Sequence, residues 1–478
     1  MIADLWRRSA SDLDGLAERL PKIGFILGLL ALAFAWGVAT VKWKVFPHRQ
    51  LVYLESGVVA MRKMESSELP NTAVALVPRE TATDPVALLG AEPVDDVILM
   101  TGGFSYRQDI CPDFGCIAWV MDRNGRVLHT WQYDPSALFD REKLSGFTGK
   151  RAARNIYVQG TALDQGGNLV VTFQAHNMFP YQVAVARFDW NGRLDWIRID
   201  GSHHWPTVGA DGRVYVPMAR IETGEGKVAG TQQKRQCKYG AVFQEGVRVL
   251  SPDGAVLREF WMDDVVRESD AQGLAYAVRD DCDPYHVNGI ALLNAAAAGR
   301  LPDAREGDLL VSLRSSSSLV VLDQDTGRIK HIVTGAMVAQ HSPRVLPDGD
   351  VAVFDNLGGI DTAKGTRVLK LDIVTGKPTT LFPRDPDAPG GDLFSEAQGE
   401  VNFTADGRRA LVAETLGGRV FEFDTATGAP IWSYRSVSDM APYFAAEGNR
   451  HDGPAYALMH TQGADFLSRA AFRRFASH

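Results

Sequence analysis

The longest apolar run of the chain lies near its N-terminus. Ile23–Val41 contains no charged side chain and is bounded by Lys22 and Lys42. As a helix, this run would span about 28 Å, which is close to the thickness of the hydrocarbon core of a bilayer. We therefore predict a transmembrane helix over residues 23–41, preceded by a cytoplasmic N-terminal segment over residues 1–22.

A cleaved signal peptide is the alternative interpretation of this run, because the small-residue motifs at 31–33 and 33–35 resemble cleavage sites. We favour the anchor, since the segment before the run is long for a signal peptide and the apolar residues continue to Val41. Basic residues flank both ends of the run, so the positive-inside rule barely fixes its orientation.

The pattern changes after the apolar run. His48–Met64 has the spacing of a short amphipathic helix, and Glu65–Asp95 contains four prolines with little periodicity. We predict a juxtamembrane helix and a linker over residues 42–95. From about Val97 onward, short β-rich runs alternate with Asp and Gly turns and no long helical pattern interrupts them, which predicts an all-β domain over residues 96–478.

The turns of this domain fall into two alternating kinds. The first kind leads to a strand that often ends in an aromatic residue, and six such turns begin at Asp122, Asp189, Ser251, Asp323, Asp372 and Asp424. The second kind is a short acidic or glycine turn before an apolar strand, and five occur, at 164–167, 211–212, 306–308, 348–349 and 406–407. Two hairpins per unit make a four-stranded blade, and recurrence at about 50–70 residues fits blades with inserted loops. We predict a six-bladed β-propeller closed by pairing of the two ends of the domain; a β-sandwich or two smaller β-domains compete with it.

An internal repeat points to the chemistry of the domain. His204–Val216 aligns without a gap on His341–Val353, and both histidines stand seven residues before an Asp-Gly turn. In a propeller, this register puts them at the start of innermost strands, where side chains face the mouth of the central channel. His286 also precedes an inner strand, although the insertion Asn294–Arg305 separates it from its turn.

Arg314 lies on the strand that follows His286 in the same predicted blade. Any one of these residues alone is more often structural, but three histidines and an arginine together indicate a site. Converging imidazoles suit zinc or copper as well as an anion. We favour the anion, because a guanidinium matches the oxygens of sulfate or phosphate and opposes a nearby dication. We find no carboxylate beside these histidines in the sequence to complete a set of metal ligands, although one could come from elsewhere in the fold.

Several motifs in the second half of the domain carry a family resemblance. They are His-x-Asn at 286–288, Leu-Val-Ser-Leu-Arg at 310–314, Gln-His-Ser-Pro at 340–343, Val-Phe-Asp-Asn at 353–356 and Thr-Gly-Ala-Pro-Ile-Trp at 427–432. The segment resembles bacterial aryl-sulfate sulfotransferases, which are six-bladed propellers that move a sulfuryl group between phenols without a nucleotide donor. The resemblance implies that His341 is the nucleophile that becomes sulfated, and that His286, Arg314 and His204 hold the sulfuryl oxygens.

The same resemblance implies that His203, Asn288 and Asn356 contact the substrate, and that neither a cofactor nor a metal is required. The sequence departs from the family where Leu-Gly-Gly follows Asn356 and in the insertion after His286. Both departures bear on the donor and acceptor pockets.

Charge and cysteine content reduce the number of functional classes that fit the chain. The formal charge of −8 and the lack of a sustained Lys/Arg run exclude nucleic-acid binding. The four cysteines form no paired CxxC signature for zinc or iron–sulfur binding, so disulfides in an exported domain are expected. Their pairing stays open, and Cys111 with Cys116 and Cys237 with Cys282 is one arrangement.

Together these features predict a sulfotransferase held in the inner membrane by one helix, with its propeller in the periplasm. Its small-molecule partners would be an aryl sulfate and a phenol; a membrane-protein partner and a homo-oligomer both stay open. The main rival is a non-catalytic periplasmic scaffold or binding subunit. A second rival, a quinoprotein-like dehydrogenase, would have more blades and a tryptophan docking repeat; core packing explains the aromatic strand ends Trp131, Trp196, Trp261 and Trp432 more simply.

Overall fold

The computed structural model describes residues 2–43, 45–48, 51, 72–90, 96–152, 155–223, 228, 235, 237, 241–278, 282–356, 365–385, 392–446 and 455–477. The chain divides into two units, Met1–Glu68 and Leu69–His478.

The first unit contains a long helix from Ile2 to Lys42. Its segment Leu20–Lys42 is long and apolar enough to cross a membrane, by length and composition. The predicted N-terminal apolar helix is therefore present, and it begins before the predicted span because the preceding residues are helical too. The amphipathic helix predicted over His48–Met64 lies largely outside the described residues.

Most of the described second unit is β-structure, as predicted. Its described residues form six antiparallel sheets built on four strands each, numbered 1 to 6 along the chain, with strands given in pairing order. Sheet 1 contains Ala464–Ser468, Asp96–Thr101, Cys116–Met121 and Val127–Gln132. Sheet 2 contains Ile156–Leu163, Leu169–Ala175, Gln182–Phe188 and Leu194–Ile199. Sheet 3 contains Thr207–Val208, Val214–Thr223, Ala241–Leu250 and Val256–Trp261.

The remaining three sheets follow the same plan. Sheet 4 contains Val287–Leu292, Leu309–Leu313, Ser318–Leu322 and Ile329–Thr334. Sheet 5 contains His341–Val345, Val351–Asp355, Arg367–Leu371 and Pro378–Phe382. Sheet 6 contains Glu400–Phe403, Arg409–Glu414, Arg419–Asp424, Pro430–Arg435 and an added outer strand, Val86–Leu88.

Smaller elements connect these sheets. A three-stranded sheet contains Ala73–Val77, Tyr456–Met459 and Val437–Asp439, and a two-stranded one contains Thr148–Gly149 and Met178–Phe179. The short helices are Arg79–Thr83, Pro135–Leu138, Met262–Arg267, Ala295–Ala298, Ala441–Ala446 and Arg469–Phe475, and the 3₁₀ turns are Gln272–Ala275 and Thr415–Gly417.

Each sheet contacts the next one in the series through its first or second strand. Sheet 6 in turn contacts sheet 1, through Glu400–Phe403 and Ala464–Ser468. The middle strands are buried on both faces, and every residue of Cys116–Met121 and Leu309–Leu313 is buried. This two-sided burial explains why these strands are nearly continuous apolar runs in the sequence, without alternation.

Three of the tryptophans at strand ends join neighbouring sheets. The indole N–H of Trp131, in sheet 1, donates to the carbonyl of Asp189 in sheet 2 over 3.0 Å. Trp196 of sheet 2 donates to the Pro252 carbonyl in the turn of sheet 3, also over 3.0 Å. Trp432 of sheet 6 donates to the Arg123 carbonyl in the turn of sheet 1 over 2.8 Å. These residues therefore do more than fill the core, because each one fixes the position of the adjacent turn.

Part of the predicted linker is structured. Ala73–Val77 pairs with Tyr456–Met459, and Val86–Leu88 pairs with the outer strand of sheet 6. The backbone N–H and C=O groups of these two strands form hydrogen bonds because each strand pairs with the edge of a sheet that is already present. Residues 72–90 thus belong to the β unit, whereas we expected a linker as far as residue 95.

Both disulfides of the arrangement considered above are present, Cys111 with Cys116 and Cys237 with Cys282. They are consistent with an oxidising compartment.

The tryptophan contacts give a stability prediction. Trp432→Phe keeps most of the ring but removes the indole donor to the Arg123 carbonyl, and Trp432 is fully buried. We expect the free energy of unfolding to fall by about 1–3 kcal/mol, since a buried acceptor loses its partner. Chemical denaturation of the full-length protein in detergent measures this change.

Trp196→Phe is the matched control, because its hydrogen bond is exposed and water can replace the lost donor. We expect a loss below about 0.5 kcal/mol there. Equal losses in the two variants would contradict the role given to Trp432.

Candidate active site

The three histidines singled out by the sequence lie at equivalent places in consecutive sheets. His341 begins the first strand of sheet 5, His286 immediately precedes the first strand of sheet 4, and His204 lies shortly before the first strand of sheet 3. One ring nitrogen from each of the three lies within 4.8 Å of the others. The sequence therefore predicted correctly that these side chains converge.

The backbone at the site is held in a conformation that few residues adopt. His204 and His286 have φ angles of 53° and 49°, in the left-handed region. A residue other than glycine pays a steric cost there, so the surrounding contacts must fix it. The Thr172 hydroxyl donates to the carbonyl oxygen of His204, and the N–H of Arg314 donates to the carbonyl oxygen of His286 over 3.1 Å.

The neighbours of His341 determine which of its ring nitrogens carries the proton. His341 Nδ1 lies 2.6 Å from Asn356 Oδ1. Asn356 Nδ2 donates to the backbone carbonyls of Ser395 and Gln398 over 2.8 and 2.7 Å, so its Oδ1 is the atom that faces the imidazole. The amide oxygen only accepts, hence His341 Nδ1 donates. Its Nε2 then carries a lone pair.

A similar argument gives His204 the opposite tautomer. The Tyr157 hydroxyl donates to Gln174 Oε1 over 2.8 Å, so Gln174 Nε2 faces His204 Nδ1, at 3.5 Å. His203 Nδ1 lies 2.5 Å from the same His204 nitrogen. Because His204 Nδ1 accepts, the proton of the neutral ring is on Nε2. His204 thus offers an N–H donor to the site, while His341 offers a lone pair.

Burial and positive charge keep these rings neutral. Burial lowers the pKa of His341 well below its usual value, and the charge of Arg314 lowers it further. The pKa of His204 is also well below its usual value, first through burial and then through the neighbouring histidines and Arg314. Arg314 therefore lies close enough to act on both rings, as its predicted place in the site requires.

Three imidazoles at these distances could also hold a metal ion. A metal needs a lone pair from each ring, and the proton on His204 Nε2 blocks one of the three. The permanent charge of Arg314 opposes a dication as well. The donor set consequently suits an anion better than a metal.

The residues expected to contact the substrate lie behind the histidines. His203 is fully buried against His204. Asn288, also fully buried, donates to the carbonyl of Gln340 over 2.7 Å and so holds the residue before His341. Asn356 is 1% exposed and receives the hydrogen bond from His341. Their described contacts orient the histidines, and their contact with substrate stays a prediction.

Two buried carboxyl groups were missed. His286 Nδ1 lies 2.5 Å from Asp283 Oδ2, and oxygens of Glu245 and Asp283 and a nitrogen of His286 all lie within 4.8 Å of one another. The expectation that no carboxylate stands beside these histidines in the sequence overlooked Asp283, whereas Glu245 comes from elsewhere in the fold, a possibility left open above. Asp283 is only three residues before His286 and could have been found from the sequence; Glu245, on a middle strand of sheet 3, gave no local signal.

A model of the arylsulfotransferase (ASST) family matches residues 163–436, which is more than half of the chain. The matched range includes His204, His286, Arg314 and His341. The chain therefore belongs to the arylsulfotransferase family, as the sequence motifs implied. A search of curated proteins found no match.

Several solved structures are similar to this chain at low identity. A protein of unknown function from Bacteroides caccae is 12% identical, with a TM-score of 0.43 over 78% of this chain and 99% of its own. Virginiamycin B lyase from Staphylococcus aureus is 11% identical, with a TM-score of 0.33 over 57% and 68%. The Dos1 propeller is 14% identical, with a TM-score of 0.32 over 57% and 56%. At these scores the likeness supports no inference about activity.

The buried histidines give a prediction about pH. Burial lowers the pKa of His203 to about 3, whereas in the unfolded chain it is about 6.5. The unfolded state therefore binds more protons between these values, and stability is lost as the pH falls below about 6.5. Between pH 7 and pH 5, we expect His203→Asn to lose about 1–2 kcal/mol less stability than the unmodified protein does.

Urea denaturation of both proteins at the two pH values measures the difference. An unchanged pH dependence would mean that His203 takes up its proton in the folded state as well.

Proposed function

We propose that this protein is an aryl-sulfate sulfotransferase that works through a sulfated His341. The observation that carries the proposal is the hydrogen bond from His341 Nδ1 to Asn356, which leaves the Nε2 lone pair for the site shared with His204 and His286. Family membership supports sulfuryl transfer as the kind of reaction. An aryl sulfate would be the donor and a phenol the acceptor.

We further propose that the six sheets form a closed six-bladed propeller. The contact of sheet 6 with sheet 1 and the Trp432 hydrogen bond across the same boundary support closure. The site then lies at one mouth of the central channel, because the three histidines precede or begin the first strands of sheets 3, 4 and 5. A ring of this kind lets separate blades each supply one group to one point in space.

The first half-reaction begins with the bound aryl sulfate. A neutral imidazole can approach a sulfate ester, because it avoids the repulsion between the anionic oxygens and a charged nucleophile. His341 Nε2 donates its electron pair to sulfur, the sulfur–oxygen bond to the aryl group breaks, and that bond's electrons stay on the phenolate. His286 gives the phenolate a proton, and phenol leaves.

Arg314 and His204 would stabilise the charge on the sulfuryl oxygens during this step. Arg314 offers a permanent cation with a fork of N–H groups, and His204 offers Nε2–H. The transition state is expected to be loose, as in phosphoryl transfer, so that negative charge is spread over these oxygens and the departing phenolate.

The second half-reaction reverses the first with another phenol. His286 takes the proton of the acceptor hydroxyl, and the phenolate oxygen attacks sulfur. The nitrogen–sulfur bond breaks and its electron pair returns to His341 Nε2. Asn356 favours this departure, because its uncharged amide leaves the Nδ1 proton on the imidazole and the sulfated ring remains a good leaving group.

The helix Leu20–Lys42 would anchor the protein in the cytoplasmic membrane, with the β unit in the periplasm. Both disulfides are compatible with that compartment. The proposed domains are a cytoplasmic segment over residues 1–22, the membrane helix over 23–41, a connecting segment and the propeller. If the added strands are counted, the propeller begins earlier than residue 96.

The nucleophile is tested with 4-nitrophenyl sulfate as donor and phenol as acceptor, using full-length protein in detergent. We expect His341→Asn to reduce nitrophenol release to the uncatalysed rate and to abolish a sulfated peptide that contains residue 341. Alkaline quenching and mass spectrometry detect this peptide, since nitrogen–sulfur bonds are labile in acid. His331→Asn, on the fourth strand of sheet 4, is the matched control and should keep both signals.

Turnover by His341→Asn at the rate of the unmodified protein would refute the mechanism. Absence of turnover by the unmodified protein with every aryl sulfate tried would favour a non-catalytic binding protein.

The role of Arg314 gives a second kinetic prediction. Arg314→Lys keeps the positive charge but replaces the planar fork of donors by a single ammonium group. We expect kcat to fall by about 10²-fold, the usual cost of losing one preorganised donor. A change confined to KM would instead assign Arg314 to ground-state binding of the donor.

A further inference from the structure

Two buried carboxyl groups stand directly behind His286, and the mechanism above does not use them. Asp283 is 8% exposed and lies in the loop before sheet 4. Glu245 is 1% exposed and comes from the third strand of sheet 3. Buried carboxyl groups are costly unless they are paired or protonated, so their presence here calls for a physical reason.

Asp283 fixes the orientation of the His286 ring. Its Oδ2 lies 2.5 Å from His286 Nδ1 and also accepts from the Tyr181 hydroxyl over 3.1 Å. The Ser315 hydroxyl donates to the carbonyl oxygen of Asp283 over 2.8 Å and so holds the loop in place. With Nδ1 committed to Asp283, Nε2 is the nitrogen that His286 has left for the reaction.

The pKa values of the two carboxyl groups are shifted in opposite directions. Burial raises the pKa of Glu245 well above its usual value, and the negative charge of Asp283 raises it further. Burial also acts to raise the pKa of Asp283, but the charge of His286 and the hydrogen bond from His286 outweigh it, and the pKa is lowered. Glu245 is thus a neutral acid beside an ionised Asp283, with an oxygen of each group within 4.8 Å of the other.

Glu245 is itself held firmly. Its Oε2 accepts from the N–H of Val287, the residue after His286. Its Oε1 lies 3.7 Å from His203 Nε2. The carboxyl pair therefore ties the strand of sheet 4 that follows His286 to the middle of sheet 3.

His286 and His341 differ in the partner of Nδ1. The His341 partner is an amide, which accepts a hydrogen bond but carries no charge. The His286 partner is a carboxylate, which also stabilises a positive charge on the ring. Two imidazoles only a few ångströms apart are thereby suited to different tasks, one as a neutral nucleophile and one as a carrier of the proton.

We propose that Asp283 and Glu245 are a positioning pair that keeps the exchanging proton on His286 Nε2. This inference rests on the proposed sulfuryl transfer and assigns two residues to it. When the bond between sulfur and the aryl oxygen breaks, the Nε2 proton moves to the phenolate oxygen, and the ring becomes neutral with its Nδ1 proton still shared with Asp283. The acceptor phenol then returns a proton to Nε2.

Other charged and titratable groups face this pair and His286 from the neighbouring elements. They are His203, His204, His341, Arg314 and Tyr181, while Arg248 acts on His203. Arg314 is the permanent cation among these described groups, and Asp283, at hydrogen-bonding distance from His286 Nδ1, supplies the opposing negative charge.

The dependence of rate on the leaving group tests the proposal. The kcat/KM for the donor reports the first half-reaction only, and phenolate needs a proton far more than nitrophenolate does. We expect Asp283→Asn to lower kcat/KM for phenyl sulfate by about 10²-fold or more, but for 4-nitrophenyl sulfate by about 10-fold or less. A merely structural role would lower both values by the same factor.

A matched pair at Glu245 keeps the test independent of how well Asp283→Asn folds. Glu245→Gln retains a hydrogen-bond donor to Asp283 and an acceptor for the N–H of Val287. Both aryl sulfates should therefore react within about 3-fold of the unmodified rate. Glu245→Leu removes both contacts and should slow phenyl sulfate more than 4-nitrophenyl sulfate. Circular dichroism of each variant checks its fold.

Equal losses for the two donors in Asp283→Asn and in Glu245→Leu would overturn the proposal. If these losses are equal while His341→Asn is still inactive, the sulfohistidine mechanism stands and only the positioning pair fails. If His341→Asn stays active, the proposed function itself fails, whatever the Asp283 variants do.

Discussion

The site depends on one constraint, which is that each imidazole can use only one nitrogen for chemistry because the other is committed to the protein. Asn356 takes Nδ1 of His341, Asp283 takes Nδ1 of His286, and Gln174 with His203 takes Nδ1 of His204. The chemical nature of each partner decides whether the remaining nitrogen offers a lone pair or a proton. Three identical side chains thereby become three different reagents. Removing them from water strengthens the distinction, since burial keeps His204 and His341 uncharged.

The sequence was informative wherever structure is local. The turns before and after each hairpin gave the four-stranded units, and the gapless alignment of His204 with His341 gave two of the three converging rings. Arg314 could be placed in the site because its strand follows His286 in the same four-stranded unit. The partners of the rings were harder to find, because Gln174 and Glu245 reach the site from neighbouring strands and sheets. The amides of Asn288 and Asn356, which we predicted to contact substrate, hydrogen-bond to Gln340 and His341, and these partners could not be predicted from the sequence.

The same limit applies to the fold. A prolyl segment with little periodicity predicted a linker, but Ala73–Val77 and Val86–Leu88 pair with edges formed by residues more than 300 positions later. No local pattern reveals such a partner. The packing role of the tryptophans could be predicted from their positions at strand ends. The carbonyl that accepts from each indole could not be predicted, because it belongs to the turn of another sheet.

Sheet 1 joins an early strand of the β unit to its last strand, with Ala464–Ser468 beside Asp96–Thr101. During synthesis, the strand Asp96–Thr101 therefore stays unpaired on this edge until more than 350 further residues have been made. Open edges of this kind are prone to pair with other chains, and contacts between distant residues form slowly. A nascent chain would thus need to be kept apart from other chains until its last strand has been made. A prematurely terminated product would leave the backbone groups along one edge of sheet 1 unpaired and able to bind other chains.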